Sequence, residues 1–502
     1  MKNKVQLATY VDRLGGGGIA ALRAALSGPL AELFGAVHLL PFYDPIDGAD
    51  AGFDPIDHTR VDPRLGSWHE LEELASFMDI MADVIVNHIS DRSEQFLDYW
   101  RRGSDSPHSG LFLTQGSVFP RGATGEDVAA IYRPRPGAPF VKTTLQTGDE
   151  VTLWATFTPH QLDIDVHHPV GKEYLQRILT TLARSGVTMV RLDAVGYAVK
   201  KPGTSCFMLP ETFDFIEEIA AYAKGLGIET LVEMHGHFSL QMKAATRGCL
   251  VYDFALPPLV LHAFAVGTAR YLKDWIRRRP NNTVTVLDTH DGIGMVDIGA
   301  ATVDGERHPG LVPPDELEAL VEHIHTASAG QSRRATGAAA SNLDLYQVNC
   351  TFFDAMGRDE RRYVLARAIQ FFMPGVPQIY YVGLLAGSND MGLLERTGVG
   401  RDINRHYYGT DEIKRDLTRA VVRDLIALIR LRNDHPAFSG AFTLADSDDQ
   451  TLSMRWQKGA DFAELRVSLA TTDYQLRYST ASETQLLRFA SNESAPLNTR
   501  SL

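Results

Sequence analysis

The segment Val187-Thr188-Met189-Val190-Arg191-Leu192-Asp193 decides the fold. Read as a strand, its period-two alternation puts Val187, Met189, Arg191 and Asp193 on one face and Thr188, Val190 and Leu192 on the other. A guanidinium and a carboxylate on one face at the mouth of a parallel strand can pair, and the pairing is expected to keep Asp193 ionised. The flanking segments are helical. Upstream, Tyr174, Leu175, Ile178, Leu179 and Leu182 form one apolar face that stops at Gly186. Downstream, Ile216, Ile219, Ala220 and Ala223 repeat at helical spacing before Gly225.

This strand–helix alternation runs through most of the chain. Strands are predicted at 6–10, 36–40, 83–87, 187–192, 229–233, 250–253, 284–288 and 377–382. Eight strands separated by amphipathic helices fit a (β/α)8 TIM barrel of α/β class better than a doubly wound sheet. Two connections, after the third and the seventh strand, are too long for simple βα loops. Both leave the C-terminal end of a strand, the face on which barrel active sites grow, so both are read as insertions roofing a pocket. After Pro436 the pattern changes to Leu452, Met454, Trp456 and then Ala463, Leu465, Val467 around a Lys458-Gly459 turn. This is a small C-terminal antiparallel β-domain. The expected division is barrel over 1–86, 168–292 and 357–435, inserted subdomains over 87–167 and 293–356, and the β-domain over 436–502.

Composition narrows the function. The 502 residues carry 49 Lys and Arg against 62 Asp and Glu, a formal charge of −13, which argues against nucleic-acid binding. Cys206, Cys249 and Cys350 are too few and too scattered for a disulfide framework or a thiolate metal site and read as buried small hydrophobes. The uncharged stretch 368–389 contains Pro374, Pro377, Gln370 and Gln378, so it reads as a buried helix end and strand, not a membrane span. The N-terminus has no apolar run of the signal type, and a cytoplasmic protein is expected.

Charged groups recur at the strand ends: Asn87-His88 after the third, Arg191 and Asp193 at the fourth, Glu233 at the fifth, and His290-Asp291 after the seventh. His235 and His237 raise a metal-dependent hydrolase, but that class wants a His-x-His pair at the end of the first strand, where this chain has Thr9-Tyr10. A binding scaffold derived from an enzyme would typically have lost one of these strand-end acids, and Asp193, Glu233 and Asp291 are all present.

These residues carry a resemblance. Asp83-Val84-Ile85-Val86-Asn87-His88, Arg191-Leu192-Asp193-Ala194, Glu233 and His290-Asp291 resemble the four signature regions of the α-amylase superfamily of retaining glycosidases and transglycosidases. Gly52-Phe53-Asp54-Pro55 and Gln161-Leu162-Asp163 resemble further stretches of it. Gly48-Ala49-Asp50-Ala51-Gly52-Phe53, Tyr132-Arg133-Pro134-Arg135-Pro136-Gly137 and Gly400-Arg401-Asp402-Ile403-Asn404-Arg405-His406 are most similar to the sucrose phosphorylases within it. The resemblance runs from Met1 to about Pro436. It implies Asp193 as nucleophile, Glu233 as general acid and base, and Asp291 as the carboxylate that holds sugar hydroxyls and favours the transition state. It implies a glucose-binding role for Asp50, His88, Arg191, His290 and Arg401, with Phe53 and Tyr197 as an apolar wall. Arg135 in the first insertion and Asp344, Leu345, Tyr346 and Gln347 in the second match the acceptor region. The implied substrates are sucrose and inorganic phosphate and the products glucose 1-phosphate and fructose, with no cofactor, no metal and a homodimeric assembly. Sucrose hydrolysis, glucosyl transfer, and phosphorolysis of glucosylglycerol or sucrose 6′-phosphate are the alternatives. Three departures bear on acceptor choice: Thr289 before His290, His160 beside Gln161, and Met234-His235-Gly236-His237 after the acid.

Overall fold

In a computed structural model, described over residues 1–46, 51–133, 137–303, 306–337, 347–480 and 484–489, eight parallel strands close a barrel. They are β1 (Gln6–Thr9), β2 (Ala36–Leu39), β3 (Asp79–Ile85), β4 (Met189–Asp193), β5 (Glu229–Val232), β6 (Leu250–Asp253), β7 (Thr283–Thr285) and β8 (Val376–Tyr380). Each strand pairs in parallel with its neighbours in chain order, and β8 pairs with β1 to close the ring. The alternation in β4 is as read: Val190 and Leu192 join the large core under the helices, while Met189 packs with Met81, Leu231 and Val284 in the barrel interior. The helix Pro169–Arg184 buries Tyr174, Leu175, Ile178, Leu179 and Leu182, and Gly186 follows with a positive φ of 83°. All three cysteines are free and buried.

Some strand bounds differ from the expectation, each for a local reason. β3 begins at Asp79 because Asp79 to Ala82 register with Ala36 to Leu39 of β2. β7 ends at Thr285, since only Val284 and Thr285 find partners on β8, at Val376 and Pro377. Asp288 is not part of the strand; its carboxylate accepts from Arg367 Nη2 at 2.5 Å and from Tyr380 N at 3.3 Å. β8 stops at Tyr380 and turns at once into the short helix Tyr381–Leu384. The segment 368–389 therefore holds a helix end, a strand and a helical turn, and among the described residues no helix is long and apolar enough to cross a membrane.

Two long excursions leave the C-terminal ends of β3 and β7. In the first, His88–Ser90 pairs antiparallel with Gln161–Asp163, and Phe140–Thr144 with Glu150–Trp154. In the second, Ile293–Gly294 pairs with Gln347–Val348. The C-terminal unit is a five-stranded antiparallel sheet, β9 (Ala441–Leu444), β10 (Thr451–Lys458), β11 (Asp461–Ser468), β12 (Tyr474–Ser479) and β13 (Thr484–Phe489). It docks on the barrel through Trp456, whose indole N–H donates to Phe372 O at 2.8 Å.

One cation pins the first excursion to the barrel. Lys200, its side chain 1% exposed, pairs with the fully buried Asp163 at 2.6 Å and donates to Asn87 Oδ1 at 2.8 Å and to Tyr197 O. Asp163 also accepts from Thr156 N and Oγ1 at 2.9 and 2.6 Å. Breaking a buried pair on one side leaves the other charge uncompensated, which costs about 3–5 kcal/mol. Lys200→Met should therefore lower unfolding stability by that order, read as the denaturant midpoint; an unchanged midpoint would show that Asp163 does not depend on the ammonium.

Candidate active site

The register of β3, β4 and β5 brings the site together. Arg191 lies opposite Asp83 on one side and Leu231 on the other. The ladder continues past the strands, Val86 N donating to Asp193 O at 3.4 Å and Glu233 N to Leu192 O at 3.2 Å. Asp193 and Glu233 thus occupy neighbouring strand ends, and Ala194 N donates to Glu233 Oε2 at 3.2 Å. The Asp193 and Glu233 side chains are only 13% and 12% exposed.

Arg191 does not serve Asp193 alone. The same Nη1 donates to Asp83 Oδ1 at 2.5 Å and to Asp193 Oδ1 at 2.6 Å. The expectation that Arg191 keeps Asp193 ionised is corrected accordingly. Burial pushes the Asp193 carboxyl well above its ordinary range, the Arg191 charge pulls it down, and Glu233 and Asp83 push it up again. With its guanidinium split between two carboxylates, Arg191 offsets only part of the burial and repulsion.

Asp291 is the opposite case. Burial would raise its carboxyl, but Arg401, His290, His235 and Arg191 together hold it well below the usual carboxylate range. Arg401 Nη1 lies 2.8 Å from Asp291 Oδ1 and its Nη2 donates to Gln347 Oε1 at 3.3 Å. The same segment fixes the loop backbone: Asn404 Nδ2 donates to Thr289 O at 2.7 Å and Arg405 Nε to His290 O at 3.0 Å.

The walls are aromatic. Phe53 stacks on His290 with centroids 4.7 Å apart and planes 8° apart, and the Arg191 guanidinium lies 5.6 Å from the Phe53 ring. Tyr197 packs with Phe207 at 4.7 Å and with Phe157 at 5.2 Å, and Phe157 packs with His88 at 5.2 Å. His88 Nε2 hydrogen-bonds Phe53 O at 2.9 Å. Asp193, Glu233, Asp291, Arg191, His290, His88, Phe53, Tyr197, Gln347 and Arg401 are all described. Asp50, Arg135, Asp344, Leu345 and Tyr346 lie outside the described residues.

Five contributors were not nominated from the sequence. Asp83 shares Arg191. Lys200 holds Tyr197. Asp297 binds His235 Nδ1 through Oδ2 at 2.8 Å, while its Oδ1 accepts from Gly236 N and Gln241 Nε2. Burial would lower the His235 imidazole, but Asp297 outweighs it and favours the cation, 3.9 Å from Glu233. Gly294 makes this possible, since a Cβ there would meet Asp297 Oδ2 at 2.0 Å. Asn404 and Arg405 complete the set. Period-two alternation would have found Asp83, which shares the interior face with Arg191; nothing local marks Asp297. His160, the departure beside Gln161, turns outward to Asp91 at 2.7 Å.

Glu233, His235 and Asp291 each bring a ligand atom within 4.8 Å of the others, a spacing that could hold a cation. Arg401 and the Asp297-bound His235 already supply positive charge to these carboxylates. The arrangement gathers Asp193, Glu233 and Asp291 at the mouth of one barrel.

Comparison with known proteins agrees. Residues 32–249 match the Alpha amylase catalytic-domain family. The chain is 56% identical to a sucrose phosphorylase from Agrobacterium vitis, over 94% of this chain and 96% of that one, and 52% identical to a sucrose phosphorylase from Bifidobacterium adolescentis, over 91% and 90%. The chain belongs to the sucrose phosphorylase family. A sucrose 6F-phosphate phosphorylase from Thermoanaerobacter thermosaccharolyticum superposes with a TM-score of 0.88 at 34% identity, covering 98% of this chain and 99% of that one. The family's barrel and C-terminal β-domain are thus shared along the whole length.

The electrostatics of Asp193 carry a stability signature. A carboxyl raised in the folded state contributes its stability fully below the unfolded value and loses it as pH rises through the folded value. Asp193→Asn, which mimics the neutral acid, should stabilise the protein by about 0.5–2 kcal/mol at neutral pH, with the gain vanishing in acid. Denaturation midpoints of both proteins against pH test this; a less stable variant at neutral pH would contradict it.

Proposed function

We propose that this protein catalyses the reversible phosphorolysis of sucrose to α-D-glucose 1-phosphate and D-fructose by double displacement through a covalent glucosyl-enzyme. The observation that carries the reading is the placement of Asp193 and Glu233 on adjacent strand ends, bridged through Ala194 N, with Asp291 held ionised beside them. A retaining mechanism needs its two working carboxyls about 5–5.5 Å apart, a separation that neighbouring barrel strands supply.

In the first step Asp193 attacks the anomeric carbon of the glucosyl unit and Glu233 gives its proton to the glycosidic oxygen, so fructose leaves. Burial, with repulsion from Glu233 and Asp83, holds the Asp193 carboxyl well above its ordinary range. The developing positive charge at the anomeric carbon favours the ionised form of Asp193 as it attacks. Asp291 stabilises the oxocarbenium-like transition state through its charge and the sugar hydroxyls. Phe53 and Tyr197 wall the glucose, and His88, Arg191, His290, Asp50 and Arg401 hold it. In the second step a phosphate oxygen attacks the same carbon, the ester to Asp193 breaks, and the phosphate proton passes to Glu233. The anomeric configuration is inverted twice and so retained.

Phosphate must be gripped against a net charge of −13. Arg135 is the cation for that role, with Asp344, Leu345, Tyr346 and Gln347 on the acceptor side. Gln347 supports this: its Oε1 faces Arg401, and its buried Nε2 has no hydrogen-bond partner among the described residues. The same reading makes 87–167 and 293–356 the two roofs of the pocket and takes the enzyme as a cytoplasmic homodimer, on the family resemblance.

Sucrose consumption should require phosphate and release α-glucose 1-phosphate, measured beside glucosylglycerol and sucrose 6′-phosphate. Free glucose formed at the same rate without phosphate would make the enzyme a hydrolase, and preference for either alternative donor would reassign the acceptor region. Glu233→Gln should slow the first-turnover cleavage of sucrose by about 10²–10⁴-fold while sparing the first-turnover release of fluoride from α-glucosyl fluoride, whose leaving group needs no proton. Equal losses on both would remove Glu233 as the acid.

A further inference from the structure

Beneath the carboxyls the barrel interior holds a polar column that the proposed reaction does not use. On β2, Val37 and Leu39 join the outer core, while His38 turns inward with Arg191, Tyr252 and Gln378 to line a small internal cavity. A histidine inside an apolar strand, 1% exposed, has to find partners. It has two. His38 Nε2 lies 2.9 Å from Asp83 Oδ2, and His38 Nδ1 lies 3.5 Å from the Tyr252 hydroxyl. Tyr252 in turn donates to Gln378 Oε1 at 3.2 Å, and Gln378 Nε2 donates to Gln6 Oε1 at 3.3 Å. With its proton given to Gln378, the Tyr252 oxygen faces the imidazole as an acceptor. His38 Nε2, which faces a carboxylate oxygen, is set to donate to it.

Asp83 is fully buried, and its two oxygens have separate donors: His38 on Oδ2, and Arg191 Nη1 on Oδ1. Arg191 Nη1 is the group that also reaches Asp193. A buried carboxylate left with one donor draws harder on that donor. We propose that His38 is a positioning residue that, by satisfying Asp83 Oδ2, sets how much of the Arg191 charge falls on Asp193. The inference rests on the reading of Asp193 as the nucleophile. His38 touches neither substrate nor reacting atoms; it acts through Asp83 and then Arg191.

The charged and titratable groups around this chain come from six elements. Asp193 is faced by Arg191 from its own strand, by Asp83 from β3 and by Glu233 at the end of β5. Asp83 is faced by Arg191 from β4, His38 from β2 and His290 from the loop after β7. Tyr252 on β6 faces Arg191, Asp83 and Glu233, and Asp291 lines the same space as His290. Among these, His38 is the one whose removal strips a donor from Asp83 without touching Arg191, Asp193 or Glu233 directly.

The test is the acid limb of kcat/KM for glucosyl transfer from α-glucosyl fluoride to phosphate. This donor needs no proton from Glu233, so the limb reports ionisation of Asp193. His38→Leu should move the limb to higher pH by about half to one unit, and His38→Gln, whose amide can still donate to Asp83, should restore most of it. Tyr252→Phe, a second probe that keeps the ring, should move the limb the same way by less. A merely structural role would lower the denaturation midpoint and reduce kcat/KM by one factor at every pH, with the limb fixed in His38→Leu and Tyr252→Phe; that result overturns the inference. Asp193→Asn run alongside separates the two claims: if it retains turnover of the fluoride, the nucleophile reading fails, and if it is dead while the limb stays fixed, only the role of His38 fails.

Discussion

One guanidinium nitrogen organises the floor of the site. Arg191 Nη1 stands between the Asp83 and Asp193 carboxylates at 2.5 and 2.6 Å, deep in a barrel mouth where each charge would be costly alone. Two acids sharing one cation leave a net negative group, and Glu233 on the next strand end adds a third carboxyl. The result is an Asp193 carboxyl held well above its ordinary range. Had Asp193 owned the guanidinium outright it would be a more stable anion and, in the proposed role, a poorer nucleophile. Sharing keeps it reactive and places it, because the fork is fixed by the β3–β4 register.

On the far side the arrangement is inverted. Asp291 receives Arg401 directly, while Asn404 and Arg405 of the same segment hold the carbonyls of Thr289 and His290. A carboxylate meant to stay ionised throughout has been given its own cation and a backbone held from outside. Lys200 does comparable work for the first insertion: one ammonium joins Asn87 at the end of β3, Asp163 of the insertion and the carbonyl of Tyr197. The aromatic wall of the pocket is therefore tied to the strand ends that carry the acids. Three cations from three parts of the chain, Arg191 and Lys200 buried and Arg401 partly exposed, thus hold four carboxylates.

Much of this was legible in the sequence. The eight strands emerge from apolar periodicity, with errors confined to their ends, as at Asp288, where a charge that looked like a strand terminus belongs to Arg367. Asp193, Glu233 and Asp291 are visible because strand ends in a barrel converge, so local position implies spatial proximity. Arg401 was reached only through family resemblance: it lies more than a hundred residues from Asp291 and no periodicity links them. Asp297, Lys200 and Arg405 escaped for the same reason. Their partners are chosen by tertiary packing, and a charged residue in a loop looks alike whether it ends in solvent or under a barrel roof. His38 and Asp83 are intermediate cases, since an inward-facing polar residue within an apolar strand is a signal that alternation alone supplies.

The account stands or falls on a covalent bond to one oxygen. Rapid quenching of the enzyme with α-glucosyl fluoride in the absence of phosphate, followed by proteolysis and mass spectrometry, reads that bond directly. The account predicts a glucosyl ester on the peptide carrying Asp193, which phosphate discharges as α-glucose 1-phosphate. An adduct on any other residue, or steady turnover with no adduct at all, would contradict it.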